Sequence, residues 1–224
     1  MKKAYLCRQG FTLIELLVVI TLIGVLAVAV LSALNPIEQI NKGRDAAKRA
    51  DSSQLLNALD RYFASNEKFP WNNYTGSTAN YTTSVDLAFA GTADLVGVGV
   101  CSSGAITDAN VTGAGTAGCT TNGYLINTQE VKAQFAKRSY FKSSALDADK
   151  MYLYKAVSEP SVSVCFIPAS KATRDRAGGA TSPLKDLNVT AGGIPTTIEI
   201  CTVAPTAAEW ADPTTACFVC IPEE

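Results

Sequence analysis

The chain has 224 residues, with 19 basic and 20 acidic side chains and no histidine. The missing imidazole excludes Ser-His-Asp and Cys-His catalysis and zinc sites built on histidine, and a net charge of −1 places no demand for nucleic acid as a partner. The length suffices for one long helix and one globular domain with its own core.

Lys2, Lys3 and Arg8 open the chain with no acidic residue among them, a bias that holds the N-terminus in the cytoplasm. Phe11 to Leu34 follows as an apolar run with one charge, Glu15, and with Thr12, Thr21, Gly24 and Ser32 as weak interruptions. About 20 apolar residues cross a bilayer as a helix, so this segment spans one and the rest of the chain lies outside. A secretory signal peptide carries its own apolar core before a small-residue cut site, and no such core precedes Phe11. A lipoprotein reading at Leu6-Cys7 fails for the same reason. A plain uncleaved anchor is the alternative, and Glu15 counts against it: a carboxylate there costs roughly 2.5–3.5 kcal/mol at mid-bilayer and less near the interface.

Gly10-Phe11-Thr12-Leu13-Ile14-Glu15, running into an apolar helix, resembles the cleavage and methylation site of type IV prepilins and type II secretion pseudopilins. The resemblance implies a leader, residues 1–10, removed by a prepilin peptidase that cuts after Gly10 and N-methylates the new first residue, Phe11. It implies that Glu15 is retained to pair with the freed amine of a neighbouring subunit, which offsets its desolvation and sets the axial register of a filament. It also implies an inner-membrane precursor and a pilus assembly platform that extracts it into a helical filament with other pilins. The leader takes three of the 19 basic residues, leaving 16 against 20 acidic ones and a mature side-chain charge of −4.

The apolar segment, 11–35, is expected to continue through Asn35-Pro36 into an amphipathic helix over 36–70. Pro36 lacks the amide that bonds back one turn and predicts a kink, with a further soft spot at Gly43. Ile37, Ile40, Ala47, Leu55, Ala58, Leu59, Tyr62 and Phe63 recur at three- and four-residue steps, while Lys42, Arg44, Asp45, Lys48, Arg49, Asp51, Asp60 and Arg61 fill the positions between them. That pattern predicts one apolar stripe. A combined helix of about 55 residues spans roughly 80 Å, more than a compact domain of this size needs. The phrase Ser65-Asn66-Glu67-Lys68-Phe69-Pro70 resembles the one that follows the long helix in bacterial pseudopilins.

Residues 71–224 form the head. Its first part, 71–150, turns to Thr, Ser, Asn, Ala and Gly and reads as a long loop-rich connection with at most short pieces near 85–90 and 94–101. Within 129–143, Lys132, Lys137, Arg138 and Lys142 accompany Phe135, Tyr140 and Phe141. Such interleaving serves nucleic-acid binding in some proteins, but here it reads as a short helix with a solvated basic face, since no net basic charge supports it. In 151–222, four antiparallel strands are predicted at 151–157, 162–167, 196–203 and 216–221, the first two joined through Ser158-Glu159-Pro160-Ser161. Packed on the long helix they make an α+β head.

Cys7 lies in the leader, whereas Cys101, Cys119, Cys165, Cys201, Cys217 and Cys220 all fall on the exported side. An even count there reads as disulfides of open connectivity. Pairing Cys101 with Cys119 closes a flexible loop worth roughly 3 kcal/mol of unfolded-state entropy. Cys217-Phe-Val-Cys220 has redox or metal spacing but no histidine or second such motif beside it, which favours structural bridges. Asp147, Asp149, Asp186, Glu199, Glu209 and Asp212 are scattered rather than spaced as a calcium loop, so no metal and no cofactor is expected. The expected function is a structural pilin of a type IV pilus; the alternative is a pseudopilin of a type II secretion system. A monomeric membrane-anchored enzyme has no catalytic constellation behind it.

Overall fold

A computed structural model describes residues 10–33, 35–73, 89–92, 98–102, 114–115, 118–119, 121–141, 145–156, 161–189 and 195–223. The chain divides into two compact units, one ending at Ile40 and one comprising Asn41–Glu224.

In the first unit the apolar run forms helix α1 (Leu13–Ala33). The stretch Leu13–Leu31 is long and apolar enough to cross a membrane, and none of it is buried by the chain. A helix that is apolar all round and covered by nothing of its own needs lipid or other copies as its surroundings. The helix expected to run on through Asn35-Pro36 is recorded as two elements, since α2 (Pro36–Asn66) begins at the proline. The Asn35 side chain accepts the Glu38 N–H at 3.3 Å and its carbonyl accepts the Gln39 N–H at 3.3 Å. Asn35 therefore caps α2, and Pro36 takes the first helical position, where a missing N–H costs nothing. Helix α2 runs through Gly43 without a break, so the expected soft spot there is not an interruption.

In the second unit, Leu55, Ala58, Leu59 and Tyr62 turn one face of α2 into the core, the i, i+3, i+4, i+7 pattern of an amphipathic helix. Further toward the N-terminus, the buried positions are Asp45, Asp51 and Ser52. Asp45 and Asp51, which the apolar stripe left among the intervening charged positions, are thus buried. The chain leaves α2 through the 3-10 turn Pro70–Asn73, with Phe69 stacked on Trp71 at 4.5 Å between ring centroids.

The strands in chain order are β1 (Phe89–Thr92), β2 (Cys101–Ser102), β3 (Ala114–Gly115), β4 (Gly118–Cys119), β5 (Thr121–Asn122), β6 (Met151–Lys155), β7 (Ser163–Phe166), β8 (Lys185–Asp186), β9 (Glu199–Ile200) and β10 (Val219–Ile221). The main sheet is antiparallel in the order β1-β6-β7-β10. The other strands form the two-stranded ladders β2-β5, β3-β4 and β8-β9. The predicted sheet is thus corrected. Three of its segments, now β6, β7 and β10, lie side by side, but the segment 196–203 leaves the sheet and pairs as β9 with β8. Asp186, Glu199 and Ile200 of that pair are exposed, and the ladder meets the approach to β10 only through the Lys185–Phe218 bridge. The outer place beside β6 goes to β1, from a stretch read mainly as loop.

Residues 129–141 also differ from the expectation for 129–143, of which 142 and 143 lie outside the described residues. Instead of a helix with a basic face they form the 3-10 turns Phe135–Lys137 and Ser139–Phe141. Phe135, Tyr140 and Phe141 are buried and pack on one another, Tyr140 and Phe141 at 4.9 Å and Phe135 and Phe141 at 5.4 Å. The gain from burying three rings outweighs the weak local preference for a helix. Two glycines permit a close backbone approach near Pro70 and Leu125. A Cβ on Gly123 lies 2.2 Å from the Gly99 carbonyl oxygen, and Gly99 has φ +83° with its Cβ position 2.7 Å from Pro70.

Candidate functional site

Gly10, Phe11 and Glu15 come together at the start of α1. The Glu15 carboxylate accepts the Thr12 N–H at 2.9 Å and the Thr12 hydroxyl at 2.7 Å, while the Glu15 N–H donates to the Thr12 hydroxyl oxygen at 3.3 Å. This is a capping box, in which the N-cap hydroxyl and the carboxylate three residues on satisfy each other's free donors. It starts the helix at Leu13, so Gly10 and Phe11 stay outside helical structure. Phe11 is 85% exposed, and a Cβ at Gly10 meets nothing within 4 Å. The 10–11 peptide bond therefore sits in open, non-helical backbone, the form in which a peptidase can bind it. The local partner of Glu15 was readable as Thr-x-x-Glu before an apolar run, a signal that the sequence reading passed over.

Farther along, Asp45 is a buried carboxylate with its partners in a distant part of the chain. One oxygen accepts the Ala169 N–H at 2.7 Å; the other accepts the Ser170 N–H at 3.0 Å and the Ser170 hydroxyl at 2.6 Å. The same Ser170 caps the short helix α3 (Lys171–Arg174). Nearby, Lys48 lies 3.7 Å from Asp149 and donates to the Ala148 carbonyl at 3.2 Å, and Arg138 lies 3.3 Å from Asp51. Loss of water around Lys48 holds its ammonium below the usual lysine range, with Asp149 opposing the shift. Burial, aided by the facing Asp51 carboxylate, pushes the Tyr140 phenol up.

Cys165 is bonded to Cys220 and Cys201 to Cys217. The first bridge joins directly opposed residues of β7 and β10, and the second links the segment after β9 to the approach to β10. Cys101 is also disulfide-bonded, while the side chain of Cys119 lies outside the described residues, as does Cys7. Among the described residues no group of three or more His, Cys, Asp or Glu could hold a metal ion. Most of the scattered carboxylates are engaged separately: Asp147 with Lys150 at 2.7 Å, Asp186 with the Asn188 N–H at 2.8 Å, Glu209 with the Thr206 N–H at 2.6 Å. The Asp212 carboxylate accepts the Thr214 hydroxyl at 2.7 Å.

Residues 6–31 match the family described as the prokaryotic N-terminal methylation motif. No curated protein and no solved structure matches the chain. The motif is the prepilin signature of the type IV pilin and pseudopilin family, whose members are structural subunits. The match covers only residues 6–31; with the apolar helix behind it, the motif is of the kind that prepilin peptidase processes in membrane-anchored precursors of that family.

Proposed function

We propose that the chain is the structural subunit of a type IV pilus. Residues 1–10 are the leader, removed by cleavage after Gly10; Phe11 is N-methylated; residues 11–35 become the filament-core helix, 36–70 its amphipathic continuation and 71–224 the outward head. The precursor sits in the cytoplasmic membrane with its N-terminus inside, and the mature chain belongs to a filament that serves adhesion, motility or DNA uptake. The observation that carries this reading is the Gly10–Glu15 junction in front of an apolar helix that the chain itself leaves uncovered. Glu15 supplies the assembly step. Thr12 satisfies it in the precursor, and after cleavage the new amine at Phe11 of a neighbouring copy offers a charged partner, which in a low-dielectric core is a stronger one than a hydroxyl.

Intact mass and N-terminal sequence of protein sheared from the cell surface test the reading, with wild type compared to Gly10→Ala and Glu15→Ala. The expected mature chain begins at N-methyl-Phe11; Gly10→Ala accumulates as precursor, and Glu15→Ala is processed but missing from the sheared fraction. A wild-type chain that keeps Met1 and stays in the membrane overturns the proposal in favour of a plain anchor. A processed wild-type chain that never reaches the sheared fraction assigns it to a secretion pseudopilus instead.

A further inference from the structure

Along α2 the head carries a basic shelf that the assembly motif does not use. A cleft of about 380 Å³ is lined by Arg44, Lys48, Asp51, Arg138, Tyr140 and Asp149, among others. A second depression, lined by Gln54, Lys132 and Lys137, shares Arg138 with it. Both carboxylates of the cleft are already engaged, Asp51 by Arg138 and Asp149 by Lys48. Arg44, Lys132 and Lys137 have no side-chain partner among the described residues, so the shelf keeps an excess of positive charge on a chain whose mature form is net acidic. Tyr140 is 4% exposed, and its hydroxyl faces the Asp51 carboxylate.

The same head carries the matching acidic feature. Asp186 and Glu199 stand directly opposite each other on β8 and β9, both exposed and without an ion-pair partner among the described residues. Like charges at opposed strand positions repel, and a cation from outside removes that cost. We propose that the shelf around Arg44, Arg138 and Lys137 receives the Asp186–Glu199 carboxylate pair of a second copy of this chain. The two patches are different surfaces of one molecule, so the contact is heterologous, the kind that propagates into open helical arrays rather than closing a dimer. A nucleic-acid strand fits less well. Phe135, Tyr140 and Phe141 are buried in the core and offer no face on which a base could stack.

The proposal rests on the filament reading only for its setting, and the test separates the two. Membranes and sheared filaments from cells expressing a mixture of isotopically labelled and unlabelled full-length chain are treated with a carbodiimide, which joins a carboxylate to a lysine only in direct contact. Mixed-label peptides joining Asp186 or Glu199 to Lys132 or Lys137 are the expected result, and their absence from both fractions overturns the contact even if filaments form. In parallel, Arg44→Glu with Lys137→Glu, and separately Asp186→Lys with Glu199→Lys, are expected to lower filament yield about tenfold, equivalent to about 1.4 kcal/mol, with cleavage at Gly10 intact. Combining all four restores it. Unchanged yield in both reversals, or no recovery in the combination, refutes the pairing. Retained mixed-label peptides without any filament would uphold the contact and sink the pilin reading alone.

Discussion

Asp45 gives the sharpest test of how the head is held to its helix. Its carboxylate accepts two backbone N–H groups and one hydroxyl from Ala169 and Ser170, and Ser170 is only 1% exposed. In Asp45→Ala the Ser170 hydroxyl can turn to Thr173, already 2.8 Å away, and the partly buried Ala169 N–H regains some water. The Ser170 N–H is left buried and unpaired. One orphaned buried donor, added to the loss of charge-assisted bonds, amounts to about 3 kcal/mol. For a domain of this size that lowers the melting temperature by roughly 6–12 °C. The assay is urea and thermal unfolding of the full chain in detergent, followed by the fluorescence of the buried Trp71 and Trp210. Asp45→Asn, which keeps one accepting oxygen, should fall between wild type and alanine. An alanine variant costing less than about 1 kcal/mol, or an asparagine variant no better than alanine, refutes the idea that these hydrogen bonds fasten α2 to the 168–174 segment.

Three further outcomes follow from the geometry. Thr12→Val removes the hydroxyl from the capping box and should cost about 1 kcal/mol at the start of α1, seen as roughly fivefold faster amide exchange at Ile14 to Leu16; Thr12→Ser restores wild-type exchange, and an unaltered rate in the valine variant counts against the cap. Replacing Cys165 and Cys220 by serine opens a loop with a sequence separation of 55, and replacing Cys201 and Cys217 opens one of 16. The loop-closure model gives about 4 and about 3 kcal/mol respectively, so the first variant should unfold at lower urea, and the reverse order contradicts that model. Hydrogen bonds from Thr206 and Thr214 hold the Glu209 and Asp212 carboxyls below their usual values. Their stabilisation is therefore complete above the ordinary carboxylate range of about pH 4 and fades as pH falls through the folded values. Amide chemical shifts of Thr206 and Thr214 that stay flat across that acid range would show that neither bond exists.

What the sequence made legible is what local period and composition encode. The apolar run specifies α1, the Leu55-Ala58-Leu59-Tyr62 spacing specifies the buried face of α2, and the apolar segment 162–167 marks β7. The misreadings share a cause. Asp45 and Asp51 are polar letters on a polar-looking face, and their burial depends on partners more than eighty residues away, which no helical period contains. The segment 196–203 has strand composition, but its pairing with β8 rather than with the main sheet is decided by tertiary contacts such as the Cys201–Cys217 bridge. The turns at 135–141 replace a predicted helix because three aromatic rings found the core. At the functional junction the cleavage motif was plain, whereas the capping role of Thr12 was present as a local pattern and went unread.

The main sheet and both described bridges draw on residues near 220: β10 lies against β7, and Cys165 and Cys201 find their partners at Cys220 and Cys217. A chain delivered in sequence order therefore carries two waiting thiols and an uncovered strand edge until its final stretch arrives. In an oxidising compartment these two native bridges form only when that stretch is present. A product broken off before Cys217 can close neither of them, whatever other pairing Cys165 and Cys201 take up, so the native bridges mark a chain that was delivered through Cys220.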